Sequence, residues 1–198
     1  MNVFPTAYFP SIYYLKEFFC CSNPLIEIQE NFPKQTIRNR CEILTSNGLL
    51  TLSIPVLHNS SGKQLTKDVR IDYSKNWQID HWRAIQSAYA SAPYFEDYFE
   101  EIKSLINYKS SFLLEQNEQI LGFIESILEI KSNYSYTNKF ENKIVSQKNL
   151  FLEQNKIDIK PYQQVFGYNK PFVPNLSILD LIFNEGPFCR NWMLTPKN

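Results

Sequence analysis

Between Trp77 and Ala92 apolar residues return every three or four positions. At 100° per residue, Trp77, His81, Ile85, Ala88 and Ala92 share one arc, with Trp82 and Tyr89 on its flanks and Asp80, Arg83 and Ser87 opposite. This spacing predicts a helix that starts near Trp77, with Ser74 or Asn76 as its cap. Pro93 turns the chain into a second helix, whose apolar face is Tyr94, Phe95, Tyr98, Phe99, Ile102, Leu105 and Ile106. A third helix, over Phe112 to Ile130, repeats the pattern with Leu113, Leu114, Leu121, Ile124 and Leu128. The stretch is an aromatic binding surface built around His81 or a helix pair with a heavy core, and the spacing favours the core.

The N-terminal part has a different period. Asn2–Ala7 reads as a short strand weakened at its end by Pro5. Ser11–Cys21 is apolar at helical spacing, and Ser22, Asn23 and Pro24 stop it. Leu25–Gln29 alternates as a strand should. Strand, helix and strand outline a βαβ unit, which directs attention to the loop Thr6–Ser11 at the carboxyl end of the first strand. Gln35–Ile43 and Leu49–Val56 flank Ser46-Asn47-Gly48, a hairpin signal. Asn59–Lys63 is a polar loop, and Lys67–Tyr73 alternates Val69, Ile71 and Tyr73 as one more strand.

Beyond the helices, residues 131–155 are rich in Asn, Ser, Tyr and Lys, and read as a mobile surface excursion. Ile157–Phe166 resumes extended structure, and Pro171–Asn175 is a proline-bounded turn. Ser177–Asn184 is a short helix capped by Ser177 and closed by Gly186-Pro187. No internal repeat is visible. The expected fold is α/β: an N-terminal βαβ unit and a hairpin form a mixed sheet, packed with a helical subregion over 76–130. At 198 residues the chain is expected to be one domain, 1–198.

Composition narrows the function classes. With 20 basic and 20 acidic residues the formal charge is zero, and no basic stripe is present to displace phosphate counterions, so nucleic acid is not the expected partner. Cys20, Cys21, Cys41 and Cys189 form no CxxC pair, and with only His58 and His81 they give no zinc spacing, so reduced thiols, no metal and no cofactor are expected. No secretory pattern opens MNVFPTAYFP and no apolar run spans a bilayer, so a cytoplasmic protein without membrane insertion is expected. Oligomeric state is not readable. GxSxG, Walker A, GxGxxG and HExxH motifs are absent, and five glycines leave little room for a glycine-rich phosphate loop.

The remaining candidates for chemistry each have a bland alternative. His81 is a core imidazole wedged between rings, or a general acid or base. Trp77 and Trp82 are core residues or platforms for a sugar ring. On a strand, Arg38 and Arg40 would point to one face beside Asn39 and clamp a phosphate or carboxylate, or else keep a hairpin edge soluble. Tyr162, Gln163 and Gln164, near Lys160, read hydroxyls or form a polar strand. Asn175, Asp180, Asn184 and Glu185 are helix-capping groups or a polar cluster at a mouth.

Four segments together resemble the WbqC-like family of bacterial proteins: PTAYFPSIYYLKEF, QTIRNRCEILTSNGLLTLSIPV, KDVRIDYSKNWQIDHWRAIQSAYASAPYFEDYF and PYQQVFGYNKPFVPNLSILDLIFNEGP. Their order is similar to the branch common in Bacteroidetes-type bacteria. The resemblance implies an association with gene clusters for O-antigen and other surface polysaccharides, and a transferase acting on a nucleotide sugar or a glycan precursor, with a nucleotide sugar or an acyl or aminoacyl donor as small-molecule substrate. A non-catalytic accessory module of a polysaccharide assembly complex is the alternative. By position the resemblance singles out Tyr8 and Pro10; Arg38, Asn39 and Arg40; Trp77, His81 and Trp82; Tyr89; Tyr162 and Gln164; and Asn175, Ser177, Asp180, Asn184 and Glu185. In the enzyme reading His81 and Asp180 are catalytic, with His81 the proton carrier. Arg38, Asn39 and Arg40 hold a phosphate or carboxylate, while Tyr8, Trp82, Tyr162, Gln164 and Asn184 contact the substrate. The first strand and loop are also similar to nucleotidyltransferases of the HIGH-motif superfamily, but Tyr8, Phe9 and Ser11 stand where those enzymes carry histidines.

Overall fold

A computed structural model of the chain describes residues 2–57, 62–141, 159–167 and 171–193. His58, most of the excursion from residue 142 on, and Ile157 and Asp158 lie outside them. The chain opens as β1 (Val3–Pro5), α1 (Ile12–Phe19) and β2 (Leu25–Glu27), the β-α-β order expected. β1 and β2 are parallel, with Val3 opposite Leu25 and Phe4 opposite Ile26. Every β1 residue is buried, as strands covered on both faces are. Ser11 caps α1 by accepting the Tyr14 N–H at 3.4 Å. A third parallel strand, β5 (Ser135–Tyr136), lies beside β2 inside the segment expected to be a surface excursion. Two residues carry no readable period; this strand is set by its surroundings, where Thr137 donates its N–H to Ile26 and its hydroxyl to Glu27 at 2.9 Å.

β3 (Arg40–Thr45) and β4 (Gly48–Ser53) are the expected hairpin, turning at Ser46-Asn47 with Thr45 opposite Gly48. They form a two-stranded sheet apart from the three parallel strands. β3 starts five residues later than the alternation suggests. Residues 35–39 turn instead, with Gln35 at φ 61°, because Ile37 gives its carbonyl to Tyr8 N–H and Arg38 turns inward. The segment 67–73 is not a continuous strand either. A 3-10 turn at Thr66–Asp68 leads to single bridges, Arg70 with Phe112 and Ile71 with Val56. Backbone bonds to both sides, Leu113 N–H to Val69 and Leu57 N–H to Arg70, draw the chain between neighbours instead of along one.

The helices follow the spacing closely: α2 (Trp77–Tyr89), α3 (Phe95–Asn107) and α4 (Leu113–Leu128). On α2 the predicted arc is buried and Asp80, Arg83 and Ser87 are exposed. Phe95 stacks on Phe99 at 4.5 Å and Tyr89 on Phe183 at 5.0 Å, so the aromatic stretch chiefly builds core. α5 (Ile178–Glu185) is capped by Ser177, which accepts the Leu179 N–H. A 3-10 turn over Gly186–Cys189 then leads into α6 (Arg190–Met193). Cys41 and Cys189 are buried, Cys20 is exposed, and all four thiols are free. Among the described residues no helix is long and apolar enough to cross a membrane.

Two positions carry unusual constraint. Arg38 has 0% exposure, and its Nε and Nη2 reach Glu30 Oε1 at 2.6 and 2.5 Å. Burial pushes the Glu30 carboxyl up and the Arg38 guanidinium down in pKa, while each partner's charge opposes the shift of the other. Removing one partner strands the other charge in the interior. Arg38→Ala is therefore expected to destabilise the fold by about 3–5 kcal/mol in urea unfolding, and Arg38→Met combined with Glu30→Leu by much less. Gly186 has φ 53°, and a Cβ there would lie 2.5 Å from the Tyr94 ring. Gly186→Ala is expected to lower stability by about 2 kcal/mol or more in the same measurement.

Candidate functional site

The turn at 35–39 delivers Asn39 and Arg40 to the start of the hairpin. Asn39 is fixed from both sides of its backbone and side chain: its carbonyl accepts Ile54 N–H at 2.8 Å, and its Nδ2 donates to Ile54 O at 2.9 Å. The inner face of α2 approaches the same end of β4. Between them lies a cleft of about 640 Å³, within the range of small-molecule sites. Leu52, Ile54, Val56 and Phe32 supply apolar lining, and Ala84 leaves room on the helix side.

The polar lining is biased toward cations. Lys34, Arg40 and Lys75 line the cleft and Asp80 is the acidic residue among its lining groups. Three buried polar atoms on lining residues have no hydrogen-bond partner: Asn39 Oδ1, Arg40 Nε and Trp77 Nε1. Further such atoms among the described residues lie on residues away from the cleft, and the three here are sealed within its walls.

His81 also lines the cleft, but its two nitrogens are engaged. Nδ1 lies 2.9 Å from the Tyr8 hydroxyl and Nε2 lies 3.2 Å from Ser53 O. Because a carbonyl can only accept, Nε2 carries the proton, and Nδ1 accepts from Tyr8. Burial, opposed by the bond to Ser53, pulls the imidazole down to about 4, so it is neutral at pH 7. Proton transfer through Nε2 would require release of the Ser53 carbonyl. Trp77 packs edge-on against the imidazole at 5.1 Å, so the ring forms a fixed wall.

The residues singled out in the sequence thus fall into separate places. Asn39, Arg40, Trp77 and His81 meet at the cleft, with Tyr8 behind His81. Arg38 does not share a strand face with Arg40; it lies in the turn, sealed against Glu30 and Thr36. Asp180, Tyr162, Gln164 and Asn184 make a second, buried network. Tyr162 OH and Gln164 Nε2 donate to Asp180 Oδ2 at 2.6 and 3.0 Å, and Asn184 Nδ2 donates to Asp180 O at 2.7 Å. Tyr89 adjoins the same carboxyl. Burial raises the Asp180 carboxyl, and hydrogen bonds from Tyr162 and Gln164 oppose the rise. Gln164 also exchanges bonds with Val173 at 2.9 and 3.0 Å; no strand forms over 159–167, where an extended run was expected, and Val165–Gly167 is a turn. This network braces the fold and does not line the cleft. Trp82 is half-buried away from the cleft, with the cations of Arg83 and Lys103 each 5.4 Å from its ring.

The loop Thr6–Ser11 is not an open mouth. Ile178 N–H and Ser177 Oγ donate to Pro10 and Phe9 carbonyls, holding Phe9 at φ 37° under the 175–178 segment. Lys34, Lys75 and Ser53 were not foreseen: lone polar residues in loops and at a strand end carry no periodic signal. Among the described residues no cluster of His, Cys, Asp or Glu could hold a metal ion.

Comparison with known proteins adds a family. The model of the WbqC-like protein family matches residues 6–152 and 140–191. Rv1507c of Mycobacterium tuberculosis, an uncharacterized protein, is 25% identical over 214 residues, covering 91% of this chain and 88% of its own. No solved structure matches.

The depressed His81 value has a pH signature. In the unfolded chain imidazole titrates near 6.5, against about 4 in the fold. Between those values the unfolded state takes up a proton that the folded state refuses. His81 therefore contributes its full stability above about pH 6.5 and loses it as pH falls toward 4, by about 3 kcal/mol. Glu30, Glu42 and Asp180 have raised values and act in the opposite sense. The His81 share is expected as the difference between wild type and His81→Gln. Between pH 7 and 4.5 the unfolding free energy of wild type should fall further than that of the variant.

Proposed function

The chain belongs to the WbqC-like protein family, and we propose that it is a cytoplasmic transferase that handles an anionic glycan precursor or nucleotide sugar in bacterial surface-polysaccharide assembly, with the cleft between β4 and α2 as its substrate site. The observation that carries this reading is the gathering of Lys34, Arg40 and Lys75 around one cleft in which Asp80 is the one acidic lining residue. The cations attract an anionic group, and Leu52, Ile54 and Phe32 contact the less polar part. In this reading Arg40 is the anion anchor, while His81 orients the Ser53 carbonyl at the cleft. Arg38 and Asp180 act through the fold that supports the cleft.

A second reading, a non-catalytic binding module of an assembly complex, is favoured by one observation. Both His81 nitrogens are committed and its basicity is low, so the residue best suited to carry protons is not poised to do so. The two readings share the ligand and differ in turnover.

Arg40→Ala separates the cleft from the scaffold better than Arg38→Ala, because Arg40 stands at the edge and makes no buried ion pair with Glu30. Thermal unfolding of wild type against nucleotides, nucleotide sugars and acyl donors is expected to show a ligand that raises Tm by mass action. The rise should vanish in Arg40→Ala without loss of the fold. Mass spectrometry of the stabilising donor incubated with glycan acceptors then distinguishes transfer from binding alone. An equal Tm rise in Arg40→Ala would remove the cleft as the site.

A further inference from the structure

The hairpin has two outer edges, and they differ. Ile54 N–H reaches Asn39 O at 2.8 Å. Along the register Leu52, Leu50 and Gly48 therefore bond inward to β3, while Ser53, Thr51 and Leu49 turn their N–H and C=O groups outward. On β3 the outward carbonyl of Glu42 accepts Ser177 N–H at 2.9 Å. On β4 His81 Nε2 donates to Ser53 O at 3.2 Å and occupies that end of the edge. Among the described residues nothing bonds to the outward main-chain groups of Leu49 and Thr51. Leu49 and Leu50 are 49% and 38% exposed, and Thr51 is exposed beside them. Successive side chains point to opposite faces, so both faces of this end of the strand are open. Edges that stay single are blunted by charge, proline or a bulge, and Gly48–Ser53 has none of these.

We propose that this edge is a homodimer interface: β4 of two copies pair antiparallel about a two-fold axis, and the two hairpins become one four-stranded sheet. Charge selects the occupant. No charged residue occurs between Glu42 and Lys63, in a chain that is 20% charged. A two-fold axis sets an edge against itself, so a charge on it would face a like charge close by. β4 meets its own copy without that cost, and it offers a charged peptide no opposite charge along the strand. The register follows from the direction of the main chain. Outward groups must meet outward groups, pairing stops short of Ser53, where His81 holds the edge, and the exposed run Leu49–Thr51 is its centre. Leu50 then lies on the axis opposite the partner's Leu50, and Leu49 exchanges two main-chain bonds with the partner's Thr51. Leu50 and Thr51 also line the cleft, so each copy bounds the other's cleft on this side, whichever ligand the cleft takes.

The test is the mass of the full chain by sedimentation equilibrium. Wild type is expected at twice the 23.4 kDa of one chain at micromolar concentration, at low and at high salt alike. Thr51→Pro removes from each copy an outward donor that has no partner among the described residues. It should weaken association at least about tenfold while circular dichroism stays that of wild type. Leu50→Lys sets like charges across the axis and should do the same. Tyr108→Lys, at an exposed residue that ends α3, should leave the dimer unchanged. Crosslinking in a Cys20→Ser, Cys21→Ser background reads the register. Across the axis the two Leu50 Cα atoms stand about 4.5 Å apart, as a pair without main-chain bonds does, which is within disulfide reach. Leu50→Cys should therefore give a covalent dimer on mild oxidation, and Tyr108→Cys should not. A monomer at every concentration, a dimer that Thr51→Pro and Leu50→Lys leave intact, or crosslinking of Leu50→Cys no better than that of Tyr108→Cys would overturn the inference.

Discussion

A guanidinium with no exposure to solvent has to be neutralised where it lies, and Arg38 is neutralised by Glu30. Much of the architecture meets at this pair. Glu30 follows β2, and its backbone carbonyl takes the Thr66 N–H. The Arg38 carbonyl accepts Asn117 Nδ2 from α4 at 2.9 Å, and the same amide donates to Thr6 beyond β1 at 3.0 Å. One residue further, Asn39 fastens the hairpin through Ile54. Parallel sheet, hairpin and α4 are thus joined through one turn of chain. A buried ion pair seldom adds net stability over a well-packed apolar core, but it tolerates few alternative arrangements. In this protein it aims Asn39 and Arg40 at the cleft.

Two further polar chains do similar work at other seams. Tyr8, His81 and Ser53 connect the loop after β1, the inner face of α2 and the end of β4. Tyr162, Gln164 and Asp180 connect the 159–167 segment to α5. Each runs between elements distant in sequence, in positions where apolar contact would hold them without fixing their register. The cleft therefore has walls whose side chains are already committed, apart from a few atoms that are not. Lys34, Lys75 and Arg40 at its lining form a region of positive charge on a chain of zero formal charge. A local field of this kind selects a ligand by its charge even though the whole molecule does not. Membership in the WbqC-like family leaves the chemistry of the cleft to the residues themselves.

The elements that the chain specifies locally were readable without coordinates. Period in α2, α3 and α4, the Asn-Gly turn between β3 and β4, and the Ser caps of α1 and α5 are each set by contacts within a few residues, so spacing and capping chemistry suffice to find them. The same holds for the burial of Trp77, His81 and Ile85, which follows from their shared arc. Local reading failed where distant partners outweigh propensity. β5 has two residues and exists because β2 offers it an edge. Gln35–Asn39 alternates like a strand but turns, because Tyr8 and Asn117, far away in sequence, take the Ile37 and Arg38 carbonyls. Asp180 and Arg40 carry equally functional-looking chemistry in sequence, yet one is enclosed by Tyr162 and Gln164 and the other opens on a cleft. Whether a charged side chain is braced or available depends on what packs over it, and that comes from parts of the chain far away in sequence; a helix face depends on neighbours three and four residues away and is written in the order of the residues.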